Sequence, residues 1–394
     1  MSISDFKERN LGLDVIRAIA VTLVVLSHTV TVFYPYASYR AQVFLNIFTW
    51  AGGYYGVELF FVLSGFLIGG IFINKVVNQL KEEANLPLVI GDFWIRRWIR
   101  TLPSYLLFLV VNICMIPITN DVFNWNIFFR FLFFCQGIGE NQTSFFGVSW
   151  SLAVEEWFYL LLPIIFAFSL LLFKRKGVEK AFVASMLFLW LLPFCFKTYR
   201  LLITPTVALI EPVFHFRTFY KLDSIFYGVL LSWIWTVSGI KQWFVRNRNL
   251  LFAVGLVFLT VSVLCAVLWI IKPQQNTLNV FFFGPICTIP IFLCFPFLIE
   301  RKFNSHHPVS RIVTQISLSS YSLYLCHIPV VVILDYAFTK LALPPSFGLS
   351  VLVFCLRVTI SVIIARYLYQ YFEIPVLAQR EKISRRLIKQ NLND

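Results

Sequence analysis

Ten apolar segments, most of them close to the length that crosses a lipid bilayer, recur along the chain. A soluble fold has no interior large enough to bury a 394-residue chain that is 59% hydrophobic and only 13% charged. We therefore predict an all-α, polytopic membrane helix bundle of about ten transmembrane helices. The predicted spans are 13–33, 54–73, 101–118, 148–172, 181–196, 219–238, 250–271, 280–299, 317–338 and 349–372.

The distribution of basic residues predicts the orientation of this bundle. With ten spans, 22 of the 33 Lys and Arg residues fall on one side and 7 on the other, and four lie within spans. Basic residues concentrate in short cytoplasmic loops, so we expect both termini and loop 74–100 to be cytoplasmic and loop 119–147 to face outward. The expected organisation is a cytoplasmic N-terminus at 1–12, a membrane domain at 13–372 and a basic cytoplasmic tail at 373–394.

The net charge of +14 follows from this topology, together with attraction to the anionic headgroups of membrane lipids. The chain has no soluble basic domain and no basic patch interleaved with aromatic residues. We therefore predict membrane lipids as partners and exclude nucleic acid.

The first predicted span carries two ionisable side chains, Arg17 and His28. Eleven positions on a helix return to nearly the same face about 16 Å further along the axis. Such groups at membrane depth are costly and usually mark functional sites that face a protein interior or a wet cavity. The alternative is that Arg17 reaches the headgroups and His28 only hydrogen-bonds a neighbouring helix.

Further ionisable residues gather at the same two depths. The carboxylates predicted to lie near the depth of His28 are Glu58, Glu155, Glu156 and Asp223. At the cytoplasmic boundary, near Arg17, Arg97 and Arg100 stand three positions apart and so share one helix face. Arginine rather than lysine favours two-donor recognition of phosphate, although ordinary enrichment of cytoplasmic loops in basic residues is the alternative.

Six motifs follow one another in a specific order over about residues 11–372. They are Arg17 followed after ten residues by His28, ELFFVLSGF at 58–66, Arg97 and Arg100 followed by Pro103, WSLAVEEWFYLLLP at 150–163, LDSIFYGVLLS at 222–232, and SLSSYSLYLCHIPV at 317–330. In this order and spacing the chain resembles the acyltransferase 3 family of integral membrane acyltransferases.

The resemblance implies a ten-helix domain that passes an acyl group, commonly acetyl, from acyl-CoA to a hydroxyl of an envelope saccharide, a glycolipid or another small molecule. It also implies a multi-pass protein of the bacterial cytoplasmic (inner) membrane. Some family members carry an additional C-terminal esterase-like domain, whereas this chain ends about 22 residues after its last predicted span, so we expect a stand-alone form. Acyl-CoA is expected as a co-substrate, with no permanently bound cofactor and no metal.

These inferences combine into one mechanistic hypothesis. Arg17, Arg97 and Arg100 bind the phosphates of CoA, while His28 acts as general base toward the acceptor hydroxyl, because an imidazole titrates near neutral pH. A carboxylate fixes the histidine tautomer, and the choice among the catalytic candidates Glu58, Glu155 and Asp223 stays open, as does a covalent acyl-histidine intermediate. The secondary candidates are Glu156, Ser64, Tyr324 and His327.

Two other classes of function stay open. A secondary transporter or flippase of a small anionic or lipid substrate also has ten spans and ionisable residues at membrane depth. A catalytically inactive scaffold that keeps the fold is the other. Against a transporter, corresponding halves of the sequence show no paired spans broken by Gly or Pro. The acyl chain, the acceptor and the oligomeric state are not predicted.

Overall fold

The computed structural model describes residues 10–81, 85–119, 121, 124–138, 145–173, 177–203, 218–237, 239–271, 277–342, 344, 346–380 and 382–383. Within these ranges the regular structure is entirely helical, which confirms the all-α class. The α-helices are α1 Leu11–Thr29, α2 Tyr39–Phe72, α3 Asn78–Lys81, α4 Leu86–Thr119, α5 Trp125–Leu132, α6 Ser149–Phe173, α7 Val178–Ile203, α8 Leu222–Thr236, α9 Lys241–Arg246, α10 Arg248–Ile271, α11 Thr277–Glu300, α12 Pro308–Leu318, α13 Ser320–Lys340 and α14 Phe347–Leu368.

Ten of these helices correspond one to one to the predicted spans. Among the described residues, nine helical segments are long and apolar enough to cross a membrane, and α8 is a shorter apolar helix of 15 residues. At 1.5 Å per residue α8 is about 22 Å long, less than the hydrocarbon thickness of a bilayer. The polytopic helix bundle is thus confirmed, whereas the side on which the termini lie stays a prediction. Residues 139–144 of the loop predicted to face outward, and 384–394 of the tail, lie outside the described residues.

Several helices extend beyond the predicted spans. Helix α2 begins at Tyr39 rather than at 54, and α4 begins at Leu86 rather than at 101, so that the last part of the predicted loop 74–100 is helical. After α14, a π-helical turn at Tyr369–Glu373 continues the helical segment to Arg380. Hydropathy marks only the most apolar part of a helix, whereas polar residues with good helical propensity continue it.

Helix α2 packs against α8 along glycines. A Cβ atom built on Gly65 of α2 would lie 2.1 Å from the carbonyl oxygen of Ile225, and one built on Gly228 of α8 would lie 2.1 Å from the carbonyl oxygen of Val62. Small residues allow membrane helices to approach until their backbones touch. This contact fixes the short helix α8 against the long helix α2.

Helix α1 lies inside the bundle, in contact with α2, α11, α12 and α13. The side chain of Asn10 caps its first turn by accepting from the backbone N–H of Leu13 at 3.2 Å. A Cβ on Gly12 would come within 1.8 Å of the carbonyl oxygen of Leu298, so the start of α1 touches the backbone of α11. The inserted helix carries Arg17 near one end and His28 near the other, about 16 Å apart along its axis.

Candidate active site

Two cavities lie along α1. The histidine cavity, of about 360 Å³, is lined by His28 together with residues of α2 and of the segment before α6. The arginine cavity, of about 90 Å³, is lined by Arg17, Arg97 and Arg100. Val57 and Tyr324 line both cavities, so the two spaces adjoin. The structure therefore brings all three predicted phosphate-binding arginines together and places them apart from the predicted general base.

The ring of His28 is surrounded by neutral hydrogen-bonding groups. Its Nδ1 lies 2.8 Å from the carbonyl oxygen of Val24, 3.4 Å from the hydroxyl of Ser27 and 3.3 Å from Nε2 of His327 on α13. Among the described residues no carboxylate contacts this ring. The structure places none of the expected carboxylates, Glu58, Glu155 and Asp223, at His28, and the ring of His327 contacts it instead.

The walls of the histidine cavity combine aromatic rings with the side-chain amide of Gln136. Trp50 and Tyr54 stack with their ring centroids 5.1 Å apart. The amide nitrogen of Gln136 donates to the carbonyl oxygen of Ser149 at 3.0 Å and to its hydroxyl at 3.1 Å. The other atom of that amide, Oε1, is buried and has no hydrogen-bond donor among the described residues.

Arg97 is held at the arginine cavity by a chain of hydrogen bonds. Its Nη2 donates to the hydroxyl of Tyr159 at 2.5 Å, and its guanidinium lies over the Tyr159 ring, 4.1 Å from the centroid. The Tyr159 hydroxyl donates to Glu155 Oε2 at 2.9 Å, and Ser64 donates to the other oxygen of the same carboxylate at 2.7 Å. Glu155 also forms an ion pair with Arg97 at 3.6 Å. This network fixes the guanidinium without a direct role for Glu155 at the histidine.

Glu155 lies at the arginine cavity and not beside His28, where it was expected. Helix α6 begins at Ser149, which lines the histidine cavity, and Glu155 follows six residues later. Six residues of α-helix rise about 9 Å, which carries this carboxylate from the histidine cavity to the arginine cavity. The next residue, Glu156, is buried, lines neither cavity, and has one oxygen without a hydrogen bond to any described residue.

The other two arginines differ in how they are held. Arg17 donates to the hydroxyl of Ser317 at 3.2 Å and lies 3.7 Å from the Asp14 carboxylate, to which Ser317 also donates at 2.6 Å. Arg100 is exposed to the cavity space and makes no hydrogen bond or ion pair with any described residue. Because Arg97 and Arg100 line the same cavity, the prediction that they share one helix face is confirmed. Arg100 is the cation most open to an incoming anion.

The remaining two carboxylates belong to a buried charge cluster, composed of Glu58, Lys221, Asp223 and Lys197. Lys221 donates to Glu58 in a hydrogen-bonded ion pair and to the hydroxyl of Tyr54 at 2.6 Å. Asp223 lies 3.8 Å from Lys197, and neither of its oxygens is hydrogen-bonded to a described residue. The cluster contacts the histidine cavity only through Tyr54.

The direction in which Glu58 leaves the axis of α2 explains why it does not contact His28. Adjacent residues on a helix point about 100° apart, so Val57 faces the two cavities while Glu58 faces α8 and α11. There the carboxylate accepts from Lys221 and, at 2.7 Å, from the hydroxyl of Thr288. Glu58 thus bridges three helices and does not contact the general-base candidate.

Tyr324, a secondary candidate in the sequence, lies at the boundary between the cavities. Its hydroxyl is 2.6 Å from the Ser151 hydroxyl and donates to the carbonyl oxygen of Val148 at 2.9 Å. These two bonds tie α13 to the start of α6. The side chain is held in place where the histidine cavity and the arginine cavity meet.

Three residues of the site were missed in the sequence. Tyr159 follows Glu155 by four positions and so shares its helix face, a signal that was available. Lys221 is one of the four basic residues that lie within predicted spans, and a lysine at membrane depth indicates a buried partner. Gln136 lies in a loop between two helices, and no local pattern marks it.

These features define an integral membrane protein whose internal site has two adjoining cavities, one lined by arginines and one by a histidine. Residues 10–366 match the family described as an acyltransferase domain, Acyl_transf_3, and the chain belongs to that family. The resemblance seen in its motifs is thereby confirmed, and the chain is a membrane acyltransferase by family.

The chain is similar to curated proteins of Staphylococcus aureus. O-acetyltransferase OatA of strain NCTC 8325 and that of strain COL are each 25% identical over 388 residues, which cover 93% of this chain and 57% of the relative. A further protein of strain COL, provisionally named an O-acetyltransferase, is 25% identical over 387 residues, or 92% of this chain and 56% of its own length. The chain thus spans little more than half the length of these relatives. No solved structure matches it.

Proposed function

We propose that the chain is an O-acyltransferase that moves an acyl group, acetyl in the first instance, from acyl-CoA to a hydroxyl of an envelope saccharide, a glycolipid or a similar acceptor. Family membership supports acyl transfer, and the printed names of the relatives support an oxygen acceptor and an acetyl group. The observation that carries the proposal is that the site consists of two adjoining cavities of different chemistry. Cations line one cavity, an imidazole lines the adjoining one, and Val57 and Tyr324 line both.

The arginine cavity suits the donor. CoA carries three phosphate groups at one end and its thioester at the far end of a long pantetheine arm. A planar guanidinium can give two parallel hydrogen bonds to a phosphate, and Arg100 has its donors open while Arg97 and Arg17 are oriented by neighbouring residues. With the phosphates held here, the arm would extend past Val57 and Tyr324 and bring the thioester to the histidine cavity.

The histidine cavity suits the acceptor and the chemistry. In the proposed reaction His28 takes the proton of the acceptor hydroxyl while the hydroxyl oxygen attacks the thioester carbonyl carbon. The C–S bond then breaks, the ester is released, and His28 returns the proton to the CoA thiolate, so that no proton is gained or lost overall.

We further propose that the chain lies in the bacterial cytoplasmic membrane with both termini and the arginine cavity toward the cytoplasm. The concentration of Lys and Arg in alternate loops supports this orientation. Acyl-CoA is made in the cytoplasm, so the donor would enter from the side of Arg100, and the acceptor would be met about 16 Å further along α1, on the side of His28.

His28→Gln tests the proposal directly, because glutamine can hydrogen-bond a hydroxyl but cannot take its proton at neutral pH. Membrane vesicles from cells that overproduce the chain supply the native acceptor, and radiolabelled acetyl-CoA is the probe. We expect wild-type vesicles to release free CoA and to transfer label to non-CoA material. His28→Gln should lose both while it still binds acetyl-CoA, because the phosphates are held about three helical turns away.

His306→Gln is the matched control, since His306 is exposed and lines neither cavity. It should behave as wild type, and the amount of each variant in the membrane is measured beside its activity. Substantial transfer by an abundant His28→Gln variant would refute the base assignment. Wild-type vesicles that take up substrate without releasing CoA would instead support a transporter or flippase.

A further inference from the structure

His327 and His28 form a pair across two helices. Their ring centroids lie 5.1 Å apart, and Nε2 of His327 is 3.3 Å from Nδ1 of His28. The two rings differ in access, because His28 lines the histidine cavity whereas His327 is 0% exposed and lines neither cavity. His327 can therefore reach an acceptor molecule only through His28.

The hydrogen-bond partners of His327 define its tautomer. Its Nδ1 lies 2.7 Å from the carbonyl oxygen of Tyr324 and 3.2 Å from that of Leu323. Carbonyl oxygens only accept, so Nδ1 must carry the proton. In the neutral imidazole the other nitrogen, Nε2, then holds a lone pair and points toward His28.

The same reasoning fixes the tautomer of His28. Its Nδ1 faces two acceptors, the carbonyl oxygen of Val24 and the lone pair of His327 Nε2, so Nδ1 carries the proton and Nε2 is free to act as a base. The Val24 oxygen is shared, because it also accepts from Ser27 at 2.7 Å and from the helical backbone. A carbonyl oxygen has two lone pairs, so His327 supplies the acceptor that Val24 alone cannot fully provide.

We propose that His327 is the positioning residue for His28. By accepting from Nδ1–H it keeps His28 in the tautomer whose Nε2 lone pair is free, and it keeps this bond when His28 becomes an imidazolium. That is the part a carboxylate plays in a catalytic triad. The proposal rests on the proposed function, in which His28 is the general base.

A neutral partner suits this location. A carboxylate beside His28 would add a charge to an interior where an unpaired charge is costly and a buried ion pair must be fully hydrogen-bonded. A second imidazole orients the base and leaves the resting pair uncharged.

Three substitutions separate positioning from packing. His327→Gln places an amide near the position of Nε2 and can still accept from His28, whereas His327→Asn places its amide near Nδ1 and can only satisfy Tyr324. His327→Leu does neither. We expect His327→Gln to keep most of kcat. The other two should lose at least about tenfold of the ~10²–10⁴ that a positioned general base supplies, with KM for acetyl-CoA unchanged.

A spectroscopic measurement makes the test independent of activity. In the full chain, labelled with ¹⁵N-histidine and reconstituted in lipid bilayers, solid-state NMR distinguishes protonated from unprotonated ring nitrogens, and the His28→Gln variant assigns the His28 signals. We expect Nε2 of His28 to be unprotonated in wild type and in His327→Gln. In His327→Leu the two tautomers of His28 should be mixed.

Each contrary result points to a different failure. Equal or greater activity of His327→Asn than of His327→Gln would assign the role to the Tyr324 bond and overturn the proposal. A folded His327→Gln as inactive as His327→Leu would mean that His327 moves its own proton, which also overturns it. If His28→Gln is inactive while every His327 variant and the His28 tautomer match wild type, only this inference fails. An active His28→Gln variant would refute the proposed function instead.

Discussion

Gly65→Ala should destabilise the protein strongly for the size of the change. The added Cβ would lie 2.1 Å from the Ile225 carbonyl oxygen, whereas ordinary van der Waals contacts begin near 3.4 Å. The helices α2 and α8 would have to separate by about 1.3 Å, and no side-chain rotation can relieve a clash with backbone. Overpacking of a well-packed interior costs about 1–3 kcal/mol, and we expect the upper part of that range.

The displacement should also reach the site. Ser64 precedes Gly65 and donates to the Glu155 carboxylate that orients Arg97, so a shift of α2 lengthens that bond. Unfolding of the detergent-purified protein, by heat or by sodium dodecyl sulfate, measures the change in stability. The KM for acetyl-CoA, measured on the folded fraction, reports the disturbance at the arginine cavity.

Gly91→Ala is the matched control, because it makes the same substitution inside helix α4 where a Cβ would meet nothing within 4 Å. There alanine should stabilise by about 0.5–1 kcal/mol, since glycine is a poor helix former. The two variants should therefore move in opposite directions from wild type. If Gly65→Ala were as stable as Gly91→Ala, and at least as stable as wild type, the argument that backbone contact holds α8 on α2 would be refuted.

Two further predictions concern charged residues. Arg100→Lys should raise the KM for acetyl-CoA with less effect on kcat, because a single ammonium cannot give two parallel bonds to phosphate. Arg96→Lys is its control, since Arg96 binds Asp92 and does not line the cavity; equal effects of both would refute the assignment. Glu58→Leu should lower the free energy of unfolding by about 3–5 kcal/mol, because it leaves Lys221 buried without its partner. Adding Lys221→Met should recover most of this loss. Loss of acyl transfer by a stable double variant would instead return Glu58 to the catalytic candidates.

The parts of this protein that are local in sequence were predictable. Hydropathy located all ten apolar helices, because the bilayer imposes a length and an apolar composition on each span. The spacing of Arg17 and His28, and of Arg97 and Arg100, correctly predicted which residues share a helix face. These inferences need only the geometry of one helix.

The partners of these residues were not predictable in the same way. The orientation of each helix about its axis depends on how its apolar and polar faces pack against all of its neighbours. In α2 this orientation directs Glu58 toward Lys221 and away from His28. His327 lies 299 residues from His28 in sequence, so no local pattern connects them. The position of Glu155 along its helix was also misjudged, because α6 begins at Ser149, close to the predicted start, yet Glu155 lies six residues further along, at the arginine cavity rather than beside His28.

Val57 and Tyr324 lie where the two cavities adjoin, and this has a consequence for the membrane itself. A permanently open aqueous passage through the bundle would conduct ions, and each charge that leaked across a 100 mV membrane would dissipate about 2.3 kcal/mol. In the proposed function this boundary, held by the hydrogen bonds of Tyr324 to Ser151 and Val148, would insulate an energised bilayer when no donor is bound. The narrow pantetheine arm would fill the same gap as it enters, so that an acyl group would pass between the cavities while ions would not.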